Sequence, residues 1–206
     1  RHDILRVVGW RDAAGVAIDP AALVAAARCC VGIDAAQAAT LARRALDAGA
    51  GVDALIVLAE QLMLSRRAEE AAALLEEPPV TIGSTEERIA IATMQANNLT
   101  FGLGRGLGAA ALLDSVLDET SEPTLQAMLR SQTAPMLLFG GDVQAAASAT
   151  AGVVADAAAT RADVLRAQIT QVAIDAIRGR PVTAARLASE TFVAIGAGGA
   201  ELPMAS

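Results

Sequence analysis

Apolar residues recur along most of the chain at the three-to-four-residue spacing of amphipathic α-helices, and short polar or glycine-containing segments interrupt them. The longer helices are predicted at residues 20–31, 53–65, 85–101, 123–139 and 161–178. Their shorter partners are predicted at residues 35–48, 68–77, 107–119, 143–156 and 182–195, and a leading helix at residues 2–14. The pattern predicts an all-α fold.

Start and stop signals support these boundaries. Asp19-Pro20 reads as an N-cap followed by proline at the first helical position, and Ser84 with Glu87 has capping-box spacing. Thr160 and Asp163 form a looser version of the same box. The glycines expected between the helices of a pair, at positions that need a positive φ, are Gly32, Gly104, Gly140, Gly141 and Gly179.

The shorter helices repeat one pattern of small residues. The repeated alanines are Ala38, Ala71, Ala110, Ala146 and Ala185, at spacings of 33, 39, 36 and 39 residues. One helical pair cannot bury its apolar stripe alone, so such pairs stack, and we expect these alanines to be buried. The repeat predicts a tetratricopeptide-like α-solenoid of about five hairpins at residues 20–195. Residues 1–19 are then a leading helix and linker, and residues 196–206 the start of a truncated next repeat.

Composition narrows the possible functions. The net charge of −7 disfavours nucleic-acid binding, which needs a basic surface. No apolar run reaches the roughly 18 residues of a membrane span, so no membrane association is expected. Adjacent Cys29 and Cys30 point in different directions on a helix, and we expect ordinary buried or half-buried thiols in a reducing cytoplasm.

Three stretches resemble the central helical region of LuxR-type, MalT-like ATP-binding transcriptional regulators. They are Ala39–Gly49 (ATLARRALDAG), Ser65–Glu76 (SRRAEEAAALLE) and Asn98–Asp114 (NLTFGLGRGLGAAALLD). The resemblance covers residues 20–195, and the strict tetratricopeptide tryptophan and tyrosine are missing.

The resemblance implies a role in a larger regulator. In that family an ATPase module precedes the array, a DNA-binding helix-turn-helix follows it, and the array receives an inducer and controls self-association. No phosphate-loop motif ending in GK[ST] occurs in this chain, so no cofactor is expected here, and ATP belongs to the absent module. The expected partners are a small-molecule inducer or a partner protein, together with a second copy of the chain. The alternative is a free-standing tetratricopeptide-like adaptor that binds a partner peptide.

Candidate chemistry is sparse, and an enzyme is not expected. His2 is the only histidine, and the glycine-rich segment 102–108 follows a helix and lacks the lysine of a phosphate loop. If the longer helices line a concave groove, its polar groups are Glu60, Gln95, Asn98, Ser131 and Thr170. Asn98 stands where the other pairs have alanine, so its amide either bonds the backbone of the glycine-rich turn or faces a ligand.

The end of the array predicts self-association. The last helix should expose Leu187 and Val193, because no complete following pair covers them. Exposed apolar patches of this kind commonly bind a partner.

Overall fold

The computed structural model describes residues 2–197, with the side chains of residues 3–196. Within that range the chain forms eleven α-helices, one π-helical turn and no β-strand, which confirms the all-α prediction. These residues form two compact units, of which the first ends at Asn98 and the second begins at Leu99.

The first unit is built around one apolar helix. Its helices are α1 (His2–Ala13), α2 (Pro20–Cys30), α3 (Ala35–Asp47), α4 (Val52–Leu64), α5 (Ala68–Glu76) and α6 (Thr85–Asn97). Helix α4 packs against α2, α3, α5 and α6, and residues 54–62 are all buried as a result. A helix that is apolar on every side is stable only in such a central position.

The second unit places α8 at its centre. Its helices are α7 (Gly106–Glu119), α8 (Pro123–Phe139), α9 (Val143–Ala155), α10 (Arg161–Ile177) and α11 (Pro181–Ala197). Helix α8 packs against α7, α9 and α10, whereas α11 packs against α10. Leu113, Leu129 and Ile174 are fully buried in this unit.

The predicted caps form. The Asp19 carboxylate accepts a hydrogen bond from the Ala21 amide at 3.2 Å, and Ser84 forms the reciprocal capping box with Glu87. Thr160 forms the second box with Asp163. One predicted boundary is wrong: α6 ends at Asn97 and passes into a π-helical turn (Asn98–Gly102) instead of continuing as α-helix to residue 101.

The glycine predictions hold at four positions and fail at one. Gly32, Gly104, Gly141 and Gly179 have the expected positive φ. Gly140 instead has φ −75°. An added Cβ there would lie 2.8 Å from the Leu107 amide nitrogen, so Gly140 serves close packing and not a left-handed turn.

Four of the five repeated alanines are buried as predicted. Ala38, Ala71 and Ala146 are fully covered and Ala110 is 3% exposed. Ala185 is exposed, and its neighbour Ala184, at 6%, is buried instead. Helix α3 packs against both α2 and α4, whereas the packing partner of α11 is α10. The face that carries Ala185 therefore has no covering helix among the described residues.

Two further predictions, the third hairpin and the truncated last repeat, can be compared with the structure. The helices predicted as the third hairpin lie in different units: α6 packs against α4 and α5, and α7 packs against α8. The truncated repeat predicted at 196–206 falls mostly outside the described residues, although α11 continues through Ala197.

Candidate binding surfaces

Glu60 is an acidic residue inside the largely apolar helix α4. Only 8% of the surface of this residue is exposed. Burial raises its pKa from 4.5 to about 7, and the positive charge of Arg28 opposes this rise. A carboxyl group that is half ionised near neutral pH in a largely apolar helix is typical of a functional position.

An ion pair lies on the same side of α4. Nη2 of Arg28, on α2, lies 3.0 Å from Oδ1 of Asp53. Asp53 and Glu60 are seven residues apart, which places them on one face of α4 about 10 Å from each other along the helix. Arg28 and Asp53 also border an open pocket of about 440 Å³, whose apolar lining includes Pro20 and Val24.

The amide of Gln61 was missed by the sequence analysis. This side chain is completely buried in α4, and neither its nitrogen nor its oxygen has a hydrogen-bond partner among the described residues. An unpaired buried amide costs about 1–3 kcal/mol. The available signal was the polar pair Glu60-Gln61 inside a helix whose neighbouring residues are apolar.

The other two candidates of the first unit make structural contacts. The amide of Gln95 donates to the Leu75 carbonyl at 2.9 Å, which ties α6 to α5. Nδ2 of Asn98 donates to the Ala68 carbonyl at 2.8 Å, at the start of α5 and not in the glycine-rich turn. The Asn98 oxygen is buried without a partner. Asn98 therefore keeps unused hydrogen-bonding capacity, whereas Gln95 is fixed by packing.

The two candidates of the second unit are satisfied internally. The Ser131 hydroxyl accepts from Nη1 of Arg166 at 2.8 Å and lies 3.0 Å from Oδ1 of buried Asp163, so it links α8 to α10. The Thr170 hydroxyl donates to the Arg166 carbonyl one turn earlier. Only the Ser131 hydroxyl joins two helices, because the Thr170 bond lies within α10, and neither hydroxyl has a hydrogen left to offer a ligand.

Aromatic side chains are unusually exposed. Trp10, Phe101, Phe139 and Phe192 are the four aromatic residues of the chain, and they are 63%, 52%, 66% and 77% exposed. Phe101 and Phe139 form an edge-to-face pair with ring centroids 5.1 Å apart. Exposed aromatic side chains commonly anchor protein interfaces, because each covers a large apolar area at low entropic cost.

One face of α11 is exposed from Val182 to Val193. Val182 is 83% exposed and Val193 is 67% exposed, as predicted for Val193, whereas Leu187 is half-buried. Phe192, Ala185 and Arg186 share this face at helical spacing and are also exposed. We call it the α11 face.

No protein-family model, curated protein or solved structure matches the chain.

The remaining chemistry of the described residues is limited. They contain no group of three or more metal-ligating side chains, and none of their helices is long and apolar enough to cross a bilayer. Cys30 is buried, burial raises the pKa of its thiol, and Cys29 is half-buried. The side chain of His2 lies outside the described residues.

The glycine-rich segment has a packing role. A Cβ added at Gly106 would lie 2.6 Å from both the Met136 oxygen and the Gly140 nitrogen. The backbones of α7 and α8 therefore touch here.

Proposed function

We propose that this chain is the non-enzymatic sensor and assembly region of a LuxR-type transcriptional regulator, folded as a tetratricopeptide-like array. The resemblance at residues 39–49, 65–76 and 98–114 supports the family. The packing of α2 on α4 and of α4 on α6 in the first unit, and of α8 on α10 in the second, supports the array, because stacked hairpins bring their first helices together in this way.

The assembly role depends mainly on the α11 face. A helix at the surface of a monomer normally exposes polar residues, whereas α11 exposes Val182, Phe192 and Val193 together. Contiguous apolar surface of this kind usually marks an interaction site. The α11 face therefore binds a second copy of the chain.

The charges on α11 suit a twofold contact. Nη1 of Arg186 lies 2.7 Å from Oε1 of Glu190 within the same helix. Two antiparallel copies of α11 that cross near residue 188 would bring Arg186 of each copy beside Glu190 of the other. Such an isologous arrangement closes a dimer without leaving an open end.

Light scattering over a concentration series tests the assembly. We expect the mass to rise from monomer to dimer, and Val193→Glu to keep the protein monomeric while its helical circular dichroism is unchanged. Val154→Glu is the matched control, because Val154 is an exposed valine of α9 outside the α11 face. A concentration-independent monomer mass for the unmodified chain would refute the assembly proposal, and a dimer that survives Val193→Glu would place the interface elsewhere.

The sensor role is assigned to the first unit. Burial raises the pKa of Glu60 to about 7, and neither polar atom of the buried Gln61 amide has a hydrogen-bond partner among the described residues. Polar groups that break the packing rules in this way concentrate at functional sites. The ligand or partner is therefore received beside the Arg28–Asp53 pair.

A further inference from the structure

Two exposed phenylalanines of the second unit lie in contact where α8 ends and α7 begins. The rings of Phe101 and Phe139 are 5.1 Å apart, although each residue is more than half exposed. Leu107, also more than half exposed, packs on the backbone of Gly140, the residue after Phe139: a Cβ added at Gly140 would lie 2.9 Å from the Leu107 Cγ. We call the side chains of Phe101, Leu107 and Phe139 the ring patch.

The backbone beneath Phe101 is anchored. Phe101 lies in the π-helical turn (Asn98–Gly102), and turns of this kind occur frequently at functional sites. The preceding residue, Thr100, is buried, and its hydroxyl donates to the Met136 sulfur of α8 at 2.8 Å. The rings are therefore held in position before a partner binds, which lowers the entropic cost of binding.

The charged groups at this end of the second unit are mainly basic. Arg105 immediately precedes α7 and is exposed, and the exposed Arg178 donates to the first turn of α9. Asp142 contributes one negative charge, where it caps α9. Arg180 lies 3.7 Å from Asp175, so that pair adds no net charge. Positive charge is in excess beside the ring patch.

We propose that the ring patch docks an acidic segment of a partner protein. A large apolar side chain of the segment packs on the two rings, and flanking carboxylates pair with Arg105 and Arg178. The rings supply contact area, and charge-assisted hydrogen bonds to arginine orient the segment. None of these residues belongs to the α11 face or to the pocket beside the Arg28–Asp53 pair, so this surface goes beyond the function proposed above.

The negative charge of the whole chain does not prevent this contact. Glu122 caps α8 at the end opposite Phe139, and Asp118 and Glu119 lie in the last turn of α7. The 17 residues of α8 span about 25 Å. Charges in solution are screened over about 8 Å at physiological ionic strength. The arginines beside the ring patch therefore decide the sign of the partner, and a basic segment would be repelled there.

The first test selects peptides from a phage-displayed library of random dodecamers on the whole chain, with Phe139→Ala as the counter-selection. We expect the enriched peptides to combine several aspartates or glutamates with at least one large apolar residue. Enrichment of basic or uncharged peptides would overturn the proposal. So would the failure of any peptide to distinguish the unmodified chain from the variant.

Fluorescence anisotropy with the most enriched peptide then measures each contribution. Phe139→Ala should weaken binding at least tenfold, whereas Phe192→Ala truncates an exposed phenylalanine of α11 and should leave it unchanged. Arg105→Gln should weaken binding about threefold at physiological salt, since exposed charge pairs contribute little. Arg11→Gln removes the same charge from an exposed position on α1 and should have no effect. Circular dichroism confirms that each variant is folded.

Equal losses in a variant and its control would contradict the proposal, and so would full binding by Phe139→Ala. Two other occupants give distinct results. Co-sedimentation with vesicles of equal phosphatidylserine and phosphatidylcholine that is lost in Phe139→Ala would assign the ring patch to a membrane surface instead. A lower mass of Phe139→Ala in light scattering would assign it to a second copy of the chain. We expect neither, and Val193→Glu should bind the peptide as the unmodified chain does.

Discussion

Gly106→Ala tests the close contact between α7 and α8. Gly106 is the first residue of α7, and the added Cβ would lie 2.6 Å from the backbone of Gly140 and of Met136. Moving that contact to an ordinary 3.4 Å requires the two backbones to separate by about 0.8 Å. Neither contacting atom belongs to a side chain that can rotate away, so the strain is transmitted to the helix pair.

The loss of unfolding free energy expected for Gly106→Ala follows from overpacking. Forcing extra atoms into a packed interior costs about 1–3 kcal/mol. Gly108→Ala is the matched control, because its Cβ meets nothing within 4 Å in the same helix. Replacing glycine by alanine at an unobstructed helical position stabilises by roughly 0.5–1 kcal/mol. The two variants should therefore differ by about 1.5–4 kcal/mol in the free energy of unfolding.

Urea and thermal unfolding by circular dichroism measure this difference. The two melting temperatures should be separated by at least about 6 °C, at roughly 4–8 °C per kcal/mol for a unit of this size. Hydrogen exchange in peptides from α7 and α8 should locate the loss of protection in Gly106→Ala. Equal stability of the two variants, or a more stable Gly106→Ala, would show that the backbones do not touch.

Three further predictions concern buried polar groups and charge. Because the folded state raises the pKa of Glu60 from 4.5 to about 7, the wild-type protein loses stability as the pH rises through this interval. Glu60→Gln should therefore unfold at a higher urea concentration than wild type at pH 8, and this difference in urea midpoint should vanish towards pH 4.5. Gln61→Met should stabilise by about 1–3 kcal/mol in urea titrations, since it removes an unpaired buried amide, whereas Gln95→Met should destabilise because it breaks the bond to Leu75. The isolated chain, with its charge of −7, should not retard duplex DNA in a gel at physiological salt, and submicromolar salt-sensitive binding would contradict this.

Helix boundaries could be predicted from the sequence because their causes are local. The Asp19 cap, the Ser84–Glu87 box and the Thr160–Asp163 box each involve residues two or three positions apart. The burial of Ala38, Ala71, Ala110 and Ala146 was also predictable, because small residues at a fixed helical position allow helices to approach.

Other features depend on which helix lies opposite, and no local pattern specifies that. Ala185 has the same sequence signal as Ala146 but is exposed, because in the described residues no helix covers its face of α11. The partner of Asn98 is a carbonyl 30 residues earlier, brought close by the packing of α5 and α6.

In the candidate site, too, some features could be predicted from the sequence and others depend on tertiary contacts. Glu60 was predicted as a groove residue from its position in a longer helix. That it is buried and that its pKa is raised follow from tertiary structure, since α4 is surrounded by four helices. Gly106 and Gly140 likewise read as turn residues in sequence, and only the contact between α7 and α8 makes their missing side chains a packing requirement. The sequence by itself determined the helices, through contacts a few residues apart, whereas the side chains left without partners were decided by contacts between helices.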